Sequence, residues 1–442
     1  LKSVDFLSDL KIRASYGEIG NQTNAGTFQY LGQYTSGPAA TTGGNNGYPF
    51  NKVYQPGLVL NSLPNPNLKW ETSDQTDIGI DAAFLKGALT LTVDYYKKRS
   101  RDFLLNIPVP PQTGFTSAYR NVGSIDNTGI ELALNYNHTT ANQFTYAIGV
   151  NFSTVNNKLL SLATGQTYIN NLGNLGFSST GANNWVNYSR STIGGPVGEF
   201  YGFTAAGIFQ SQKEIDDLNA IAAAKYGVGI QYQPKAVVGD RKFADINNDG
   251  RISDADQSAL GSPIPKFFGG LNLDASFKGF DFNAFFYGVS GNKIFNYQER
   301  TLESFVSSTG SVGIENIGTK YFDNAWTPTN QSNRYAVITA NDFNANTRPS
   351  NLYVEDGSYL RLRSLTIGYT LPGNLAGKIT ASKIRVYISG QNLFTLTKYS
   401  GLDPEIGTPV DVNGNRLPTA AGIDVGTYPS SKFYTFGLNV TF

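Results

Sequence analysis

The amino-acid sequence alternates between apolar and polar residues over many short stretches, and this alternation limits the chain to β-structure. In 144–152 the even-numbered residues are Phe, Tyr, Ile, Val and Phe, whereas the odd-numbered ones are Thr, Ala, Gly and Asn. The segments 89–95, 130–137 and 434–442 follow the same pattern. A period of two residues is typical of a strand with one apolar and one polar face. About a dozen such segments occur along the whole chain, so we predict an all-β protein.

The composition excludes several classes of function. The 34 Lys and Arg residues nearly balance the 33 Asp and Glu, which leaves a net charge of +1. A nucleic-acid partner requires a basic excess, so none is predicted. The chain has no cysteine and one histidine, His138, which excludes disulfides, Cys-ligated zinc and sites with two imidazoles. No Ser, Asp or Glu pair has a spacing that indicates acid–base chemistry, so we predict no catalytic residues and no enzymatic activity.

Two all-β folds fit the alternation: a soluble sandwich and a transmembrane antiparallel β-barrel. Three observations favour the barrel. The polar phase consists of Asn, Thr, Gly, Ser and Asp, aromatic residues such as Tyr95, Tyr96 and Tyr136 are assigned to strand ends, and short connections alternate with long ones. A barrel strand needs only about 9–11 residues to cross a bilayer. The long loops are predicted at 36–66, 160–195, 211–262, 296–351 and 398–430.

Six segments, in this order, carry a resemblance to a known family. They are SYG with GNQ at 15–22, NPNLKWE at 65–71, the Asn/Gly-rich hairpin at 121–131, the acidic stretch at 239–263, EDGSYLRLR at 355–363 and GQNLF at 390–394. Together they resemble the SusC/RagA-like TonB-dependent outer-membrane transporters of Bacteroidetes.

The resemblance implies an architecture and a location. Residues 1–442 would be the C-terminal portion of a barrel of about 22 strands with long extracellular loops. A plug domain and the N-terminal barrel strands would lie outside this chain, in another segment of the same protein or in a separate chain. The protein would be a multi-pass barrel in the bacterial outer membrane, in contact with lipid and with the barrel-insertion machinery.

The resemblance also implies a function. A SusC/RagA-like transporter actively imports nutrients too large for porins, with glycan oligomers as the first substrate class and oligopeptides as the second. Its partners would be a SusD-like surface lipoprotein, which forms a lid, and TonB–ExbB–ExbD, which acts through the missing N-terminal region. Three alternatives stay open: a surface adhesin or glycan-binding β-sandwich, an outer-membrane enzyme of the barrel phospholipase kind, and a SusC-like barrel recruited to structural or secretion-associated duty.

The last strand is a candidate membrane-insertion signal. The chain ends on an aromatic residue, and an exposed edge strand can pair with another protein through its backbone while alternating side chains define the face. In this it resembles the signal that the insertion machinery reads. The predicted signal residues are Tyr434, Phe436, Leu438, Val440 and Phe442.

The acidic stretch has the spacing of a calcium-binding loop. Oxygen donors stand at positions 1, 3, 5, 9 and 12, a backbone carbonyl at position 7, and Gly250 at position 6 allows a sharp turn. Position 12 is Asp rather than the usual Glu, and the alternative is an Asx-rich turn without metal. No catalytic cofactor is predicted. The candidate ligands of a structural calcium ion are Asp245, Asn247, Asp249, Arg251, Ser253 and Asp256.

Aromatic residues on the long loops are candidates for substrate stacking. Apolar ring faces pack well against sugar C–H surfaces and against peptides. The alternative for each ring is packing within its own loop. The predicted stacking residues are Trp185, Tyr188, Trp326 and Tyr335.

Overall fold

Ten long strands form one continuous antiparallel sheet in chain order, which we call the wall. The computed structural model describes residues 6–22, 30–32, 34–36, 47–60, 62–115, 117–170, 188–303, 316–339, 342–376, 380–408 and 420–442. The short strand Asn156–Ser161 also pairs with the beginning of the fourth wall strand. The wall strands are β1 (Leu7–Asn21), β2 (Glu71–Phe84), β3 (Leu89–Arg101), β4 (Ser124–Thr139), β5 (Thr145–Thr154), β6 (Phe267–Phe277), β7 (Phe280–Ser290), β8 (Tyr359–Thr370), β9 (Lys383–Thr397) and β10 (Phe433–Thr441).

Connections between neighbouring wall strands alternate strictly between short and long. The short ones are 85–88, 140–144, 278–279 and 371–382, and they all lie at one end of the sheet. In the shortest, Lys278 and Gly279 both have positive φ, which is the backbone of a tight hairpin turn. Short periplasmic turns and long external loops are typical of outer-membrane barrels, so the end with long connections is extracellular.

The register separates the two faces of the wall by chemistry. Ile12, Ile80, Val93, Leu132 and Phe152 are direct cross-strand neighbours and so point to one face, where Ile12 is 72% exposed. A row on the opposite face consists of Asn137, Ala147, Asp274, Asn283 and Thr366. An exposed apolar face backed by a polar one is the arrangement of a lipid-facing barrel wall, as predicted.

Two wall glycines leave space for tyrosine rings that lie across the sheet. A Cβ atom on Gly437 would come within 2.1 Å of the ring of Tyr387, its direct cross-strand partner. A Cβ atom on Gly129 would lie 2.6 Å from the hydroxyl of Tyr96, which donates to the Thr154 carbonyl at 3.3 Å. Tyr95 and Tyr96 both lie near the middle of β3, with Tyr96 on the polar face, so their predicted place at a strand end is wrong.

The described parts of the long connections 155–266, 291–358 and 398–432 fold together into what we call the loop assembly. Helix α1 (Gln212–Tyr226) begins where the Ser211 side chain accepts the Glu214 N–H, and ends at Gly227 with a φ of 104°. The other helices are α2 (Tyr297–Leu302), α3 (Thr319–Asn324) and, at a short turn of the wall, α4 (Gly373–Ala376). In the described residues no helix has the length and apolar character needed to cross a membrane.

Short strands join the segments of the loop assembly. Tyr168–Asn170, Ser189–Thr192, Glu199–Gly202 and Ser258–Gly261 make one small sheet, and Ala205–Ile208 pairs with Arg241–Phe243. Lys293–Asn296 lies between Val354–Asp356 of the same connection and Ile423–Asp424 of the last one, so it joins two long connections. Outside the assembly, Tyr34–Ser36 pairs with Leu58–Leu60, Gly47–Phe50 with Val53–Pro56, and Leu104–Pro108 with Ser117–Asn121. The 3₁₀ turns are Leu85–Gly87, Pro111–Thr113, Asp254–Asp256 and Asn351–Tyr353.

Among the described residues, the large hydrophobic clusters lie in the loop assembly, whereas the wall has one small cluster around Ile384 at its periplasmic end. One cluster contains Phe200, Phe295 and Tyr353, each 0% exposed, together with Tyr188 and Tyr297. A second cluster lies beneath α1 and consists of Phe203, Phe209, Ile215, Ala222, Tyr232, Phe243 and Ile252. A large buried aromatic core gives this external part its own source of stability.

Candidate functional site

The polar face of the wall carries ion pairs that connect neighbouring strands. Arg13 on β1 contacts Asp81 on β2 at 2.7 Å and Asp94 on β3 at 2.9 Å, and the Thr92 hydroxyl donates to Asp81 at 3.0 Å. A Cβ atom on Gly79 would lie 2.0 Å from Asp94, so the glycine leaves room for this cluster. A hydrophilic solute that moved along this face would meet alternating charges.

Further pairs continue along the same face. Arg99 on β3 contacts Asp126 on β4 at 2.6 Å, and Arg385 on β9 reaches over β8 to Asp281 on β7 at 2.8 Å. Asn283 donates to Asp274 at 2.7 Å. These side chains remain partly exposed, which suits a surface that borders water.

In the loop assembly, by contrast, one carboxylate is fully enclosed. Glu303 follows α2, is 4% exposed, and lies 3.1 Å from the guanidinium of Arg241 and 2.7 Å from that of Arg334. The Tyr353 hydroxyl donates to it at 2.9 Å. The pKa of Tyr353 is raised well above its usual range, mainly by burial and secondly by the neighbouring charge of Glu303. Glu303 thereby joins three separate chain segments.

A buried amide network surrounds two further carboxylates of the assembly. The Asn346 side chain donates to Asp240 at 2.8 Å, and its backbone N–H donates to Asp342 at 2.8 Å. Burial raises the pKa of Asp342 to about 6 and also raises the pKa of Asp240. Burial lowers the pKa of Arg348, whose guanidinium lies 4.9 Å from the Phe243 ring, to about 10. Asp342 therefore changes its protonation state in mildly acidic solution, near pH 6.

A third charged cluster joins the wall to the last long connection. Arg361 at the extracellular end of β8 is 2% exposed and contacts Asp403 at 2.5 Å and Glu405 at 2.9 Å. Burial alone would raise the pKa of Asp403, but the N–H groups of Ser430 and Glu405 and the guanidinium of Arg361 lower it below its usual value. Arg361 therefore fixes 398–408 against the rim of the wall.

The predicted stacking residues lie inside the loop assembly. Tyr188 is 8% exposed and packs edge-on against Phe295, with ring centroids 5.0 Å apart. Trp326 is 7% exposed and donates through its indole N–H to Gln210 at 2.8 Å. Tyr335 is 9% exposed and lies against Tyr321. This geometry agrees with the packing alternative for all three rings, and Trp185 lies outside the described residues.

The predicted calcium loop folds as a series of side chain-to-backbone turns. Asp245 accepts from the N–H groups of Asp249 and Gly250, and Asn247 also accepts from Asp249 at 2.8 Å. Asp256, at position 12, is 0% exposed and accepts from Ile246 at 3.0 Å and from Ser253 at 2.7 Å.

The other two candidate ligands each lie near one carboxylate of the loop: the Arg251 guanidinium is 3.9 Å from Asp249, and the Ser253 hydroxyl donates to Asp256 at 3.4 Å. Arg251 has its guanidinium over the Tyr226 ring, and the Ser253 hydroxyl accepts from Ala255 at 3.2 Å. In the part of the chain that the structure describes, three or more His, Cys, Asp or Glu side chains never gather as a metal site would require. Calcium binding stays a prediction, for which calorimetric titration of chelator-treated receptor is the measurement.

The last wall strand presents its aromatic residues as the sequence pattern indicates. Tyr434, Phe436 and Leu438 point to the apolar face and are 66%, 80% and 62% exposed. Val440 shares this phase, pairs with Ile384, and packs against a small cluster at the periplasmic end, and Phe442 is 84% exposed. The role of these residues in membrane insertion stays a prediction.

Sequence reasoning missed the buried charges of the loop assembly. Glu303 and Asp342 stand in segments without regular periodicity, and nothing nearby in sequence indicates their burial. Arg361 lies within the quoted segment EDGSYLRLR, and Asp240 and Arg241 lie within the quoted segment 239–263, so the resemblance already marked these positions. The one local pattern that could have indicated a buried ion pair is a charged residue between apolar strand residues, as in YLRLR.

A sheet of consecutive antiparallel strands, apolar outside and polar inside, with an ordered assembly above its extracellular end, defines a transmembrane β-barrel wall. The family model described as "TonB dependent receptor-like, beta-barrel" matches residues 3–262. The chain belongs to this family of TonB-dependent receptors of the bacterial outer membrane, and the SusC/RagA-like resemblance is confirmed.

Individual relatives agree with this assignment. TonB-dependent receptor P3 of Formosa agariphila is 32% identical over 444 residues, and TonB-dependent receptor SusC of Bacteroides thetaiotaomicron is 27% identical over 451 residues. The RagAB peptide transporter matches in structure with a TM-score of 0.71 at 27% identity, and the RagAB peptide importer in its open-open state with 0.73 at 26% identity. All of this chain is covered in each case, but it spans only 38–41% of the length of these relatives.

Proposed function

We propose that this chain forms part of the wall and the external vestibule of an energised outer-membrane importer of large nutrients. The observation that carries the proposal is the two-faced wall: lipid-compatible side chains cover one face, and interstrand ion pairs such as Arg13–Asp81 lie on the other. In this role the residues described above line and shape a passage and take no part in catalysis.

The wall requires further strands to be stable in lipid. Among the described residues, β1 and β10 each pair on one side only. An unsatisfied backbone group in hydrocarbon costs several kcal/mol, so an open edge does not persist in a bilayer. We therefore propose that further strands, outside this sequence, close the barrel between β1 and β10, and that a plug domain also lies outside this sequence.

Two partners follow from the family. A SusD-like surface lipoprotein would rest on the loop assembly, whose buried core gives it the rigidity of a docking platform. TonB–ExbB–ExbD would act on the plug from the periplasmic side. Glycan oligomers and oligopeptides are the proposed substrates, and the match to the RagAB peptide transporter supports the oligopeptides.

The test begins with purification of the complete receptor from outer membranes in mild detergent, followed by mass spectrometry of every co-purifying chain. A stoichiometric surface lipoprotein, together with plug sequence, would support the lidded importer. Recovery of the barrel with its plug and without a lid would favour the alternative of a barrel recruited to structural duty. Recovery in the soluble fraction would contradict the proposal.

Uptake then identifies the substrate class. Cells that carry the receptor, and cells that lack it, are given fluorescent oligopeptides or oligosaccharides with and without a protonophore. Receptor-dependent uptake that the protonophore abolishes is the expected result. Equal uptake in both strains for both substrate classes would contradict an importer.

The terminal strand has its own test. We propose that Phe442 belongs to the signal read by the insertion machinery, because it is 84% exposed beyond the last paired residue of β10. Removal of Phe442 should lower the amount of folded receptor in the outer membrane. A deletion within the short turn at 373–376 serves as the control for shortening of the chain, and unchanged insertion without Phe442 would contradict the proposal.

A further inference from the structure

One face of the small four-stranded sheet in the loop assembly carries an arginine and a glutamate that do not pair with each other. Phe200 lies on the opposite face, in the buried aromatic cluster, and is 0% exposed. Its neighbour Glu199 and the direct cross-strand partner Arg190 therefore lie together on the outer face, where both are partly exposed. The Cβ atoms of such partners are about 5 Å apart, yet within the described residues no ion pair joins these two side chains.

Two tyrosine rings, one from each neighbouring strand, hold the guanidinium of Arg190 in place. Its Cζ atom lies 4.1 Å from the centroid of the Tyr168 ring and 3.7 Å from that of the Tyr201 ring. A cation in contact with an aromatic face is attracted to it. The Arg190 Nε also donates to the Asn170 side chain at 2.9 Å. The guanidinium is therefore positioned by the sheet itself, before any ligand arrives.

The remaining polar atoms of both side chains are left without partners. In the part of the chain that the structure describes, Nη1 and Nη2 of Arg190 donate to no other residue, and neither nitrogen is fully enclosed. The Glu199 carboxylate likewise contacts no donor or cation there, and partial burial raises its pKa with no neighbouring charge to offset the effect. Arg241, by comparison, contacts Glu303 at 3.1 Å. Arg190 and Glu199 are thus both available to a ligand from outside the chain.

We propose that Arg190 binds the C-terminal carboxylate of an oligopeptide, while Glu199 accepts an N–H group of the same peptide. The two outer nitrogens of a planar guanidinium match the two oxygens of a carboxylate. A peptide terminus supplies that carboxylate and, within one residue, an N–H donor for the neighbouring glutamate. Because the rings already order the arginine, binding costs little further side-chain freedom. The inference rests on the oligopeptides of the proposed function and adds a binding site for them on the loop assembly.

The experiment compares two peptide libraries on the complete receptor, purified in mild detergent with any chain that accompanies it. Both libraries are oligopeptides of mixed sequence with a fluorescent label at the N-terminus, and they differ only in a free or an amidated C-terminus. We expect the free-acid library to bind about tenfold more tightly in fluorescence anisotropy, a factor typical of a hydrogen-bonded charge. Arg190→Gln should remove this preference, and Arg190→Lys should retain part of it because it keeps the charge without the fork.

Two further variants separate the site from general effects of charge. Lys225→Gln removes another cation of the loop assembly that lies over a tyrosine ring, and it should leave the preference for the free acid unchanged. Glu199→Ala should weaken the binding of both libraries to a similar extent, because both contain the N–H group that it accepts. If Arg190→Gln prevents folding, the preference of the unmodified receptor and of Arg190→Lys decides.

The outcomes distinguish this inference from the proposal on which it rests. Equal affinity of the unmodified receptor for both libraries, or a preference that Arg190→Gln leaves unchanged, would overturn the inference alone. Binding of neither library would contradict the oligopeptide substrates as well. Displacement of the free-acid library by an oligomeric uronate as effectively as by unlabelled peptide would assign the site to acidic glycans and overturn the peptide terminus as its ligand.

Discussion

The wall and the loop assembly are built from the same chain but place their side chains in opposite ways. In the wall, large apolar residues are on the outside: Ile12 is 72% exposed and Phe436 is 80% exposed. In the loop assembly, Phe200 and Phe295 are 0% exposed, and even Arg241 is only 2% exposed. The wall thus has the surface of a protein in lipid, and the assembly has the interior of a protein in water.

The difference shows what stabilises each region. The wall depends on continuous backbone pairing and on the hydrocarbon around it, since lipid cannot satisfy an open N–H or C=O. Its ion pairs are partly solvated, and such pairs contribute little. The loop assembly depends on burial, and its enclosed charges are a liability wherever one partner is missing. Substitutions of charged residues should therefore damage the assembly far more than the wall.

The largest effect is expected for Glu303→Ala. Removal of this carboxylate leaves Arg241 buried without its counter-charge, which should destabilise the loop assembly by about 3–5 kcal/mol. Limited proteolysis of the complete receptor should become much faster within 188–339. The heat-modified mobility of the folded barrel on gels should stay unchanged.

Glu299→Ala is the matched control, because it removes a carboxylate from α2 whose partner, Lys320, is exposed. Protease resistance in the control should remain close to that of the unmodified receptor. If Glu303→Ala and Glu299→Ala behaved alike, the buried cluster would contribute nothing, and the contrast between wall and assembly would be lost.

Arg361→Ala should have the next largest effect. The loss of its guanidinium leaves Asp403 enclosed and unpaired, at a cost of about 3 kcal/mol. Hydrogen exchange of the backbone in 398–408 should accelerate, whereas β8 itself remains protected. Arg361→Lys restores charge without the two-pronged geometry, so it should recover part of the protection. Full protection in the alanine variant would contradict this assignment.

A pH effect should follow from Asp342. Its folded pKa of about 6 lies above the ordinary value of 3.8, so the folded state binds more protons between these values. The loop assembly should accordingly lose stability as pH rises from about 4 to about 6 and stay level above that, by about 2–3 kcal/mol in total.

Protease resistance measured from pH 4 to pH 7 checks this expectation. Asp342→Asn should make the dependence shallower, and Asp240, whose pKa burial also raises, supplies what remains. A pH profile that the substitution leaves unchanged, or stability that rises over this window, would contradict the assignment to Asp342.

Most of the wall could be predicted from the sequence, because a transmembrane strand repeats every two residues and its two faces differ in chemistry. The predicted strand 144–152 is observed as Thr145–Thr154, and the last strand as Phe433–Thr441. About a dozen strands were predicted, and the wall has ten.

The buried charges and aromatic residues of the loop assembly could not be predicted in the same way. Glu303, Arg241 and Arg334 meet only because 291–358 folds back on 155–266, and no local pattern encodes such a long-range contact. Aromatic residues on loops indicated stacking surfaces, but Trp326 and Tyr335 are core residues of the assembly. A loop long enough to have its own hydrophobic core buries its rings, as any small domain does.

The smallest effect is expected in the wall, for Arg385→Gln. Arg385 reaches Asp281 at 2.8 Å, but both side chains are partly exposed, so the pair should contribute about 0.2–1 kcal/mol. Thermal unfolding of the complete receptor in detergent should therefore shift by at most a few degrees, and less at high salt. Asp281→Asn should give the same small shift, since both variants break the same pair. A shift as large as that of Glu303→Ala would mean that the wall encloses its charges as the loop assembly does, and the contrast between the two regions would fail.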